Sequence, residues 1–256
     1  MTIQEFSNEF DVLYNNIMSN QAPGLDEYEK SVFLTKAQYE ILKNYFNPKG
    51  NKYAEGFDQS AKRQIDFSNI TVYKSLRKAT EVVGAHFSKN STRFQFPSDA
   101  VLILNETILV VRDGKEIPLT VVPISIGEYN RVMSKPYHYP LKNQAWRLLV
   151  SNNKSCAEII TGPNDDLSKA SYIIRYIKKP LPIILEPLTG NRSIEGYAGT
   201  DSSGKVILAG NTAVSGINSE LDSELHPEIL QRAIELAKAA YIGDINTQLQ
   251  IGQRSE

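Results

Sequence analysis

The chain of 256 residues is sparing with side chains that do chemistry: it has three histidines, one cysteine and one tryptophan. His86 sits in the apolar run VVGAHF and reads as packed. His138 lies between Tyr137 and Tyr139 in a proline-flanked loop and reads as surface. His226 precedes Pro227 and reads as part of a helix start. A Ser-His-Asp hydrolase has no local support, because no G-x-S-x-G elbow is present. Cys156 follows Ser155 in a polar turn with no base visible beside it, which describes a small residue rather than a nucleophile. Asp165-Asp166 is the best candidate for a carboxylate pair. Acid–base work would need both in one cleft with divergent pKa values, whereas GPNDD reads more simply as a turn that caps the next segment. A sugar hydrolase would also carry more than one tryptophan. No GxxxxGK[ST], no G-x-G-x-x-G after a strand and no H-E-x-x-H occurs. A single cysteine excludes an internal disulfide and a cysteine-rich zinc site. No catalytic residue, cofactor or metal is expected.

One segment does stand out. RVMSKPYHYPLKNQAWR, residues 131–147, interleaves Arg131, Lys135, Lys142 and Arg147 with Tyr137, Tyr139 and Trp146. Three uses fit that composition. Aromatic rings and cations together stack bases or sugars and grip phosphates. Tyr, Trp and Arg are also the residue types that anchor protein–protein contacts. The plainest use is a proline-stiffened loop whose aromatics pack on a sheet.

The elements that must position this segment follow from periodicity. Phe6, Phe10, Leu13, Ile17 and Met18 share one helical face, and the Pro-Gly of NQAPG ends that helix. Asp26 with Glu29, and Thr35 with Gln38, have capping-box spacing, which predicts two further helix starts, the second running into KAQYEILKNYF. A weaker helix is expected around residues 58–67. Alternation then takes over. TVYKSL, VVGAHF, RFQF, Val101–Leu104, Thr107–Arg112 and Ile117–Ile124 read as strands, with Asp113-Gly114 as a type I′ hairpin turn between two of them. Pro118 and Pro123 mark the returning strand as an edge or bulged strand. Ser125 and Glu128 cap a short helix, IGEYNRVMS, which Lys135-Pro136 stops. Strands follow at Ala145–Val150, Ala157–Thr161 and Tyr172–Lys178. Residues 186–224 hold six glycines and one aromatic, and are expected to form an extended loop or arm, with one strand near Lys205–Ala209. Pro227 opens a final helix with the stripe Ile229, Leu230, Ala233, Ile234, Ala237, Ala240 and Tyr241, and Gly243 is placed to cap it. The fold class is α+β: a mainly helical segment 1–70, an antiparallel β-rich core 71–185, an arm 186–224 and a C-terminal helix and tail 225–256. These are expected to form one globular unit with an arm.

Leu, Ile, Val and Phe make up 70 residues, enough for a sizeable core. No apolar run reaches membrane-spanning length. The acidic, amphipathic start MTIQEFSNEFDVLY lacks the pattern of a secretory signal, so synthesis in the cytosol is expected. The net charge of -1 argues against a protein built wholly around nucleic acid. It also hides a division: residues 62–180 carry 18 basic and 10 acidic side chains, residues 1–45 carry 3 and 7, and residues 181–256 carry 5 and 10. The division is either clustering on solvated faces or a surface with two electrical poles, suited to docking between copies or stacked partners.

Three phrases carry a family resemblance. FSNEFDVLYNNIMSNQAPGLDEYEKSVFLTKAQYEIL, VVPISIGEYNRVMSKPYHYPLKNQAWRLL and LHPEILQRAIELAKAAYIGD resemble virion structural proteins of crAss-like tailed phages. The resemblance is thinnest over 186–224 and includes no catalytic motif, so no functional residue is carried over. It implies a non-enzymatic ring protein of the head–tail connector, or neck, assembled in the host cytoplasm and located in the virion. The implied ring is homo-oligomeric, a dodecamer, stacked beneath the portal protein beside neighbouring neck or tail rings, with genomic DNA passing through its channel. A tail or tail-hub component, and a nucleic-acid-binding module using residues 131–147, are the alternatives.

Overall fold

The computed structural model describes residues 1–15, 24–46, 61–79, 88–135, 139–150, 156–188, 192–194, 197–200, 206–208, 213–214 and 216–242. The chain forms two compact units. One is Thr71–Lys179. The other is discontinuous and joins Met1–Ile70 to Pro180–Glu256. The charge division follows this boundary closely: Thr71–Lys179 carry 16 basic and 9 acidic side chains, and the remaining residues 12 and 20.

The continuous unit is built on seven strands: β1 (Thr71–Leu76), β2 (Ser91–Gln95), β3 (Ala100–Arg112), β4 (Lys115–Pro123), β5 (Gln144–Val150), β6 (Cys156–Ile160) and β7 (Asp166–Lys178). They pair in the order β1-β7-β3-β4-β5-β6-β2. The two ends of this sheet meet. Just after β1, the Ala79 N–H donates to Arg93 O, and the Gln95 N–H of β2 donates to Arg77 O, so the sheet closes on itself as a small barrel. Closure removes the exposed edges that an open sheet would present. Phe94, Ile108, Leu119, Ala157, Tyr172 and Ile174 are buried in its core. The rings of Phe94 and Tyr172, on strands far apart in the pairing order, lie 5.1 Å apart.

The sheet is mixed rather than wholly antiparallel. β4 and β5 run parallel, from Thr120↔Gln144 to Pro123↔Arg147. Parallel neighbours need a crossover, and residues 124–143 provide it, carrying helix α4 (Ile126–Met133). The expected capping box is present at its start: the Glu128 N–H donates to Ser125 Oγ, and the Ser125 N–H donates to Glu128 Oε2. The hydrogen-bonded cap and the serine hydroxyl hold the Glu128 carboxyl below its ordinary pKa.

The Asp113-Gly114 hairpin forms as expected, with φ of 53° and 76°. The strand it returns, β4, is not an edge strand, because β3 and β5 flank it. Its prolines survive there because pairing is staggered. Pairs alternate across an antiparallel ladder, so Pro118, opposite Leu109, turns its nitrogen away from β3, and β5 begins to pair only at Thr120. Pro123 turns its nitrogen to the other side, where pairing with β3 has ended at Thr120. Each proline thus meets a locally unpaired edge.

The discontinuous unit contains α1 (Ile3–Asn15), α2 (Glu27–Phe46), α3 (Ala61–Asp66), a small antiparallel sheet of β8 (Tyr197–Thr200), β9 (Val206–Leu208) and β10 (Ala213–Val214), and α5 (His226–Ile242). On α1, Phe6, Phe10 and Tyr14 are buried, whereas Leu13 is exposed; Ile17 and Met18 lie outside the described residues. Asp26 and Glu29 form their capping box. Thr35 and Gln38 do not start a helix, because α2 runs through them without a break. They have a tertiary task instead. Ser31, Thr35 and Gln38 line one face of α2 and take up the backbone of an extended segment. The Leu185 N–H donates to Ser31 Oγ at 3.0 Å, the Ile183 N–H donates to Thr35 Oγ1 at 3.1 Å, and Gln38 Nε2 donates to Leu181 O at 2.8 Å. On its other side the segment exchanges two backbone hydrogen bonds with Ile217. Gly216 permits that approach, since a Cβ there would stand 2.9 Å from Ile184 O. Ile184, Leu188, Ile194 and Ile217 form a small core against Tyr28 and Val32, so parts of 186–224 pack into this unit.

His226 sits at the start of α5. Its Nδ1 accepts from the Met1 ammonium at 2.8 Å, and its Nε2–H donates to Leu221 O at 3.2 Å. Burial, followed by the charge of the ammonium, holds its pKa below the ordinary 6.5. Below pH 6.5 the unfolded chain therefore binds a proton that the folded chain resists. Stability is expected to fall as pH drops from about 7 towards 5, with most of the loss below the ordinary histidine value. Urea titrations followed by the helical circular dichroism signal should show this slope, and His226→Gln should flatten it.

Candidate interaction surface

The basic–aromatic segment is mostly the β4–β5 crossover, and the structure divides its residues into two groups. Arg131, at the end of α4, is exposed, as are Lys135, Tyr139 and Lys142 in the stretch leading to β5. Tyr137 lies outside the described residues, as do His138 and His86. Trp146 and Arg147 are already on β5, where alternation sends them to opposite faces. Trp146 points towards Tyr129 of α4, Leu148 and Ile160, and is half-buried in that outer cluster. Arg147 points into the barrel. Its Nε lies 2.9 Å from Glu106 Oε2, and its guanidinium lies 5.7 Å from the centre of the Phe96 ring.

Glu106 has no counterpart in the sequence reading, which left it between two separate strand runs. The structure joins these into the single bulged strand β3. Glu106 is buried there, accepts from Tyr172 Oη at 2.5 Å and faces Arg147. Burial outweighs these partners and raises its carboxyl pKa. Burial and the Glu106 charge together push the Tyr172 hydroxyl far up. This group therefore braces the interior of the barrel.

Asp165 and Asp166 do not form a catalytic pair. Asp165 is buried and accepts from Arg112 Nε at 2.7 Å and from the Gly162 N–H at 3.1 Å, which closes the GPND turn. Asp166 is exposed at the start of β7 and accepts from the Ser168 N–H. Cys156 is half-buried. Among the described residues no group of three or more His, Cys, Asp or Glu is placed to hold a metal ion, and no helix is long and apolar enough to cross a membrane.

Among the described residues the crossover presents cations, aliphatic groups and the exposed Tyr139 ring. Tyr129 is the only fully buried side chain of α4, while Ile126 and Met133 are exposed, as is Leu141 beyond the helix. Trp146→Ala is expected to cost the barrel about 1–3 kcal/mol, less than a fully buried tryptophan would. Its effect should appear in urea melts followed by circular dichroism.

A family model described as phage tail ring protein 3/4 matches residues 1–249. Ring protein 4/5 of Bacteroides phage crAss001 is 48% identical over 257 aligned positions, covering all of both chains. Ring protein 3 of the same phage is 32% identical over 244 positions, covering 93% of this chain and 95% of the relative. The resemblance to crAss-like virion proteins carried by the three sequence phrases thus extends along almost the whole chain, and the chain belongs to the phage tail ring protein 3/4 family.

Proposed function

We propose that this chain forms a closed homo-oligomeric ring in the head-to-tail connector, beneath the portal, joining capsid to tail around a channel for DNA. The observation that carries the ring is the near end-to-end match to two relatives called ring proteins in one phage. The coincidence of charge with fold supports it: the barrel unit has an excess of 7 basic residues and the rest of the chain an excess of 8 acidic ones. A ring closes when one patch binds a different patch on the next copy, and the two units supply unlike patches. The dodecameric count follows the resemblance. Related rings are the proposed neighbours, since one phage carries two relatives of this chain. The role is structural and involves no turnover of substrate.

A second reading is a ring or hub placed further down the tail, which the family's own description as a tail ring favours. Electron microscopy of the purified protein, alone and mixed with the portal complex, tests ring formation. Closed rings of uniform copy number are expected in at least one of the two samples. Monomers or open filaments in both would contradict the proposal.

A further inference from the structure

The barrel closes through Arg77 and Ala79, beyond the end of β1, and β1 itself has only β7 beside it. Closure therefore covers this edge at one end only. Successive residues of a strand turn their N–H and C=O to alternate sides. Arg77 and Ala79 turn theirs towards β2, so Ser75 and Tyr73, two and four residues before Arg77, turn theirs to the same side. No described backbone group takes them up there. The side chains show the same gap. Val72, Lys74 and Leu76 pair with Tyr176, Ile174 and Tyr172, which belong to the core. Lys74 is nevertheless exposed, although Ile174 opposite it is fully buried. The wall of the barrel is thus open beside Lys74. Tyr73, on the outer face, is 74% exposed. An inward-pointing lysine on a free edge deters indiscriminate pairing and leaves the edge to a strand that matches it.

The sequence supplies such a strand. Residues 244–251, DINTQLQI, follow α5 and lie outside the described residues. Ile245, Thr247, Leu249 and Ile251 alternate with Asn246, Gln248 and Gln250, the period of a strand with one apolar face. As a strand these residues would span about 26 Å, enough to cover the roughly 20 Å of β1. They carry Asp244 and no cation, whereas the exposed Lys74, Arg77 and Arg175 border the edge.

We propose that residues 244–251 of one copy add as a strand to the free edge of β1 on the next copy. Thr247 lies opposite Lys74, where its hydroxyl accepts from the ammonium. Ile245 or Leu249, according to the direction of the added strand, lies opposite Val72 and extends the core. The occupant is a second copy because tail and edge are both present on every chain. Passing a strand one way from copy to copy is the heterologous contact that a ring requires. The tail belongs to the acidic unit and β1 to the basic one, so their opposed fields steer the encounter. This inference rests on the ring reading and names the contact that builds it.

Cysteine pairing tests it. In a Cys156→Ala background, Lys74→Cys and Thr247→Cys are made on separate full-length chains, mixed and mildly oxidised. Opposed strand positions lie close enough for a disulfide. The mixture should give a covalent dimer on a non-reducing gel, at about tenfold or more the yield of either variant alone. Both cysteines on one chain should give a ladder of covalent oligomers. A cross-link within single chains, or no cross-link above the single-variant level, overturns the proposal. The backbone is tested separately. Tyr73→Pro removes an N–H that no described group uses, and should weaken self-association in sedimentation velocity by about tenfold or more, while Tyr73→Ala keeps the N–H and should stay within about threefold of wild type. Far-ultraviolet circular dichroism confirms the fold of each variant. Closed rings that form equally well with Tyr73→Pro and with Leu249→Asp would overturn the contact and leave the ring standing. Cross-linking between copies without closed rings would uphold the contact and count against the ring reading.

Discussion

Glu158→Ala is expected to destabilise the barrel by about 3–5 kcal/mol. Glu158 is fully buried and Arg93 nearly so, with Arg93 Nε 2.7 Å from Glu158 Oε2. Ser91 Oγ donates to the other carboxylate oxygen at 2.5 Å. The pair joins β2 to β6, and the Tyr129 ring of α4 is near enough for the Glu158 charge to help raise its hydroxyl pKa. Removing Glu158 alone leaves a guanidinium with neither water nor its carboxylate, which accounts for the cost. Replacing both partners, as Arg93→Leu with Glu158→Leu, should be milder than either single change, because both charges leave together. Trp146 is the sole tryptophan and lies on β5, so its fluorescence reports barrel unfolding in urea. A loss below about 1 kcal/mol for Glu158→Ala would mean that water reaches the pair.

Thr35→Val should produce the second large effect, in the helical unit. Threonine and valine share a shape, so the change removes little but the hydroxyl. That hydroxyl donates to Ile183 O at 3.2 Å and accepts the Ile183 N–H at 3.1 Å, and both residues are buried. A buried backbone group left without a partner costs about 1–3 kcal/mol. With two such groups exposed to this loss, about 2–4 kcal/mol is expected for Thr35→Val. Thr35→Ser keeps the oxygen and should cost about 1 kcal/mol or less, the value of a lost methyl group. The ellipticity at 222 nm is the appropriate readout, since the helices of this unit dominate it. Equal losses for valine and serine would show that packing rather than hydrogen bonding holds the segment at Ile183.

These two sites also mark where the sequence is legible and where it is not. Local signals read well because their physics is local. Asp113-Gly114 specifies a turn through its own backbone, and Ser125 with Glu128 caps a helix whatever lies around it. Thr35 and Gln38 have the same spacing as a cap, yet they serve a partner some 145 residues away, and nothing local separates the two uses. The parallel pairing of β4 and β5 has a local signal, because a capped helix between two strands suits a crossover as well as it suits a loop between antiparallel strands. Pro118 and Pro123 signalled unpaired edges correctly, but the edges are segments of an inner strand. On α1, helical spacing fits Leu13 to the same stripe as Phe10, and the choice of Tyr14 over Leu13 for burial depends on packing.

The same limits apply to the basic–aromatic segment. Composition picked out the stretch, and the structure leaves Arg131, Lys135, Tyr139 and Lys142 of it exposed. Alternation along β5 separates Trp146 from Arg147, but it does not say which face is inside the barrel, nor that α4 covers the other. Glu106 could not be found from the sequence at all. A carboxylate beside Asn105 and Thr107 looks like a break in a strand until Arg147 and Tyr172 are seen converging on it.

The place proposed for this chain is a ring of the connector between head and tail. The most direct test is electron microscopy of intact phage particles labelled with an antibody to this chain. Label confined to a single level at the head–tail junction is the expected result. Label at the distal tail, or particles that carry none of this chain, would contradict it.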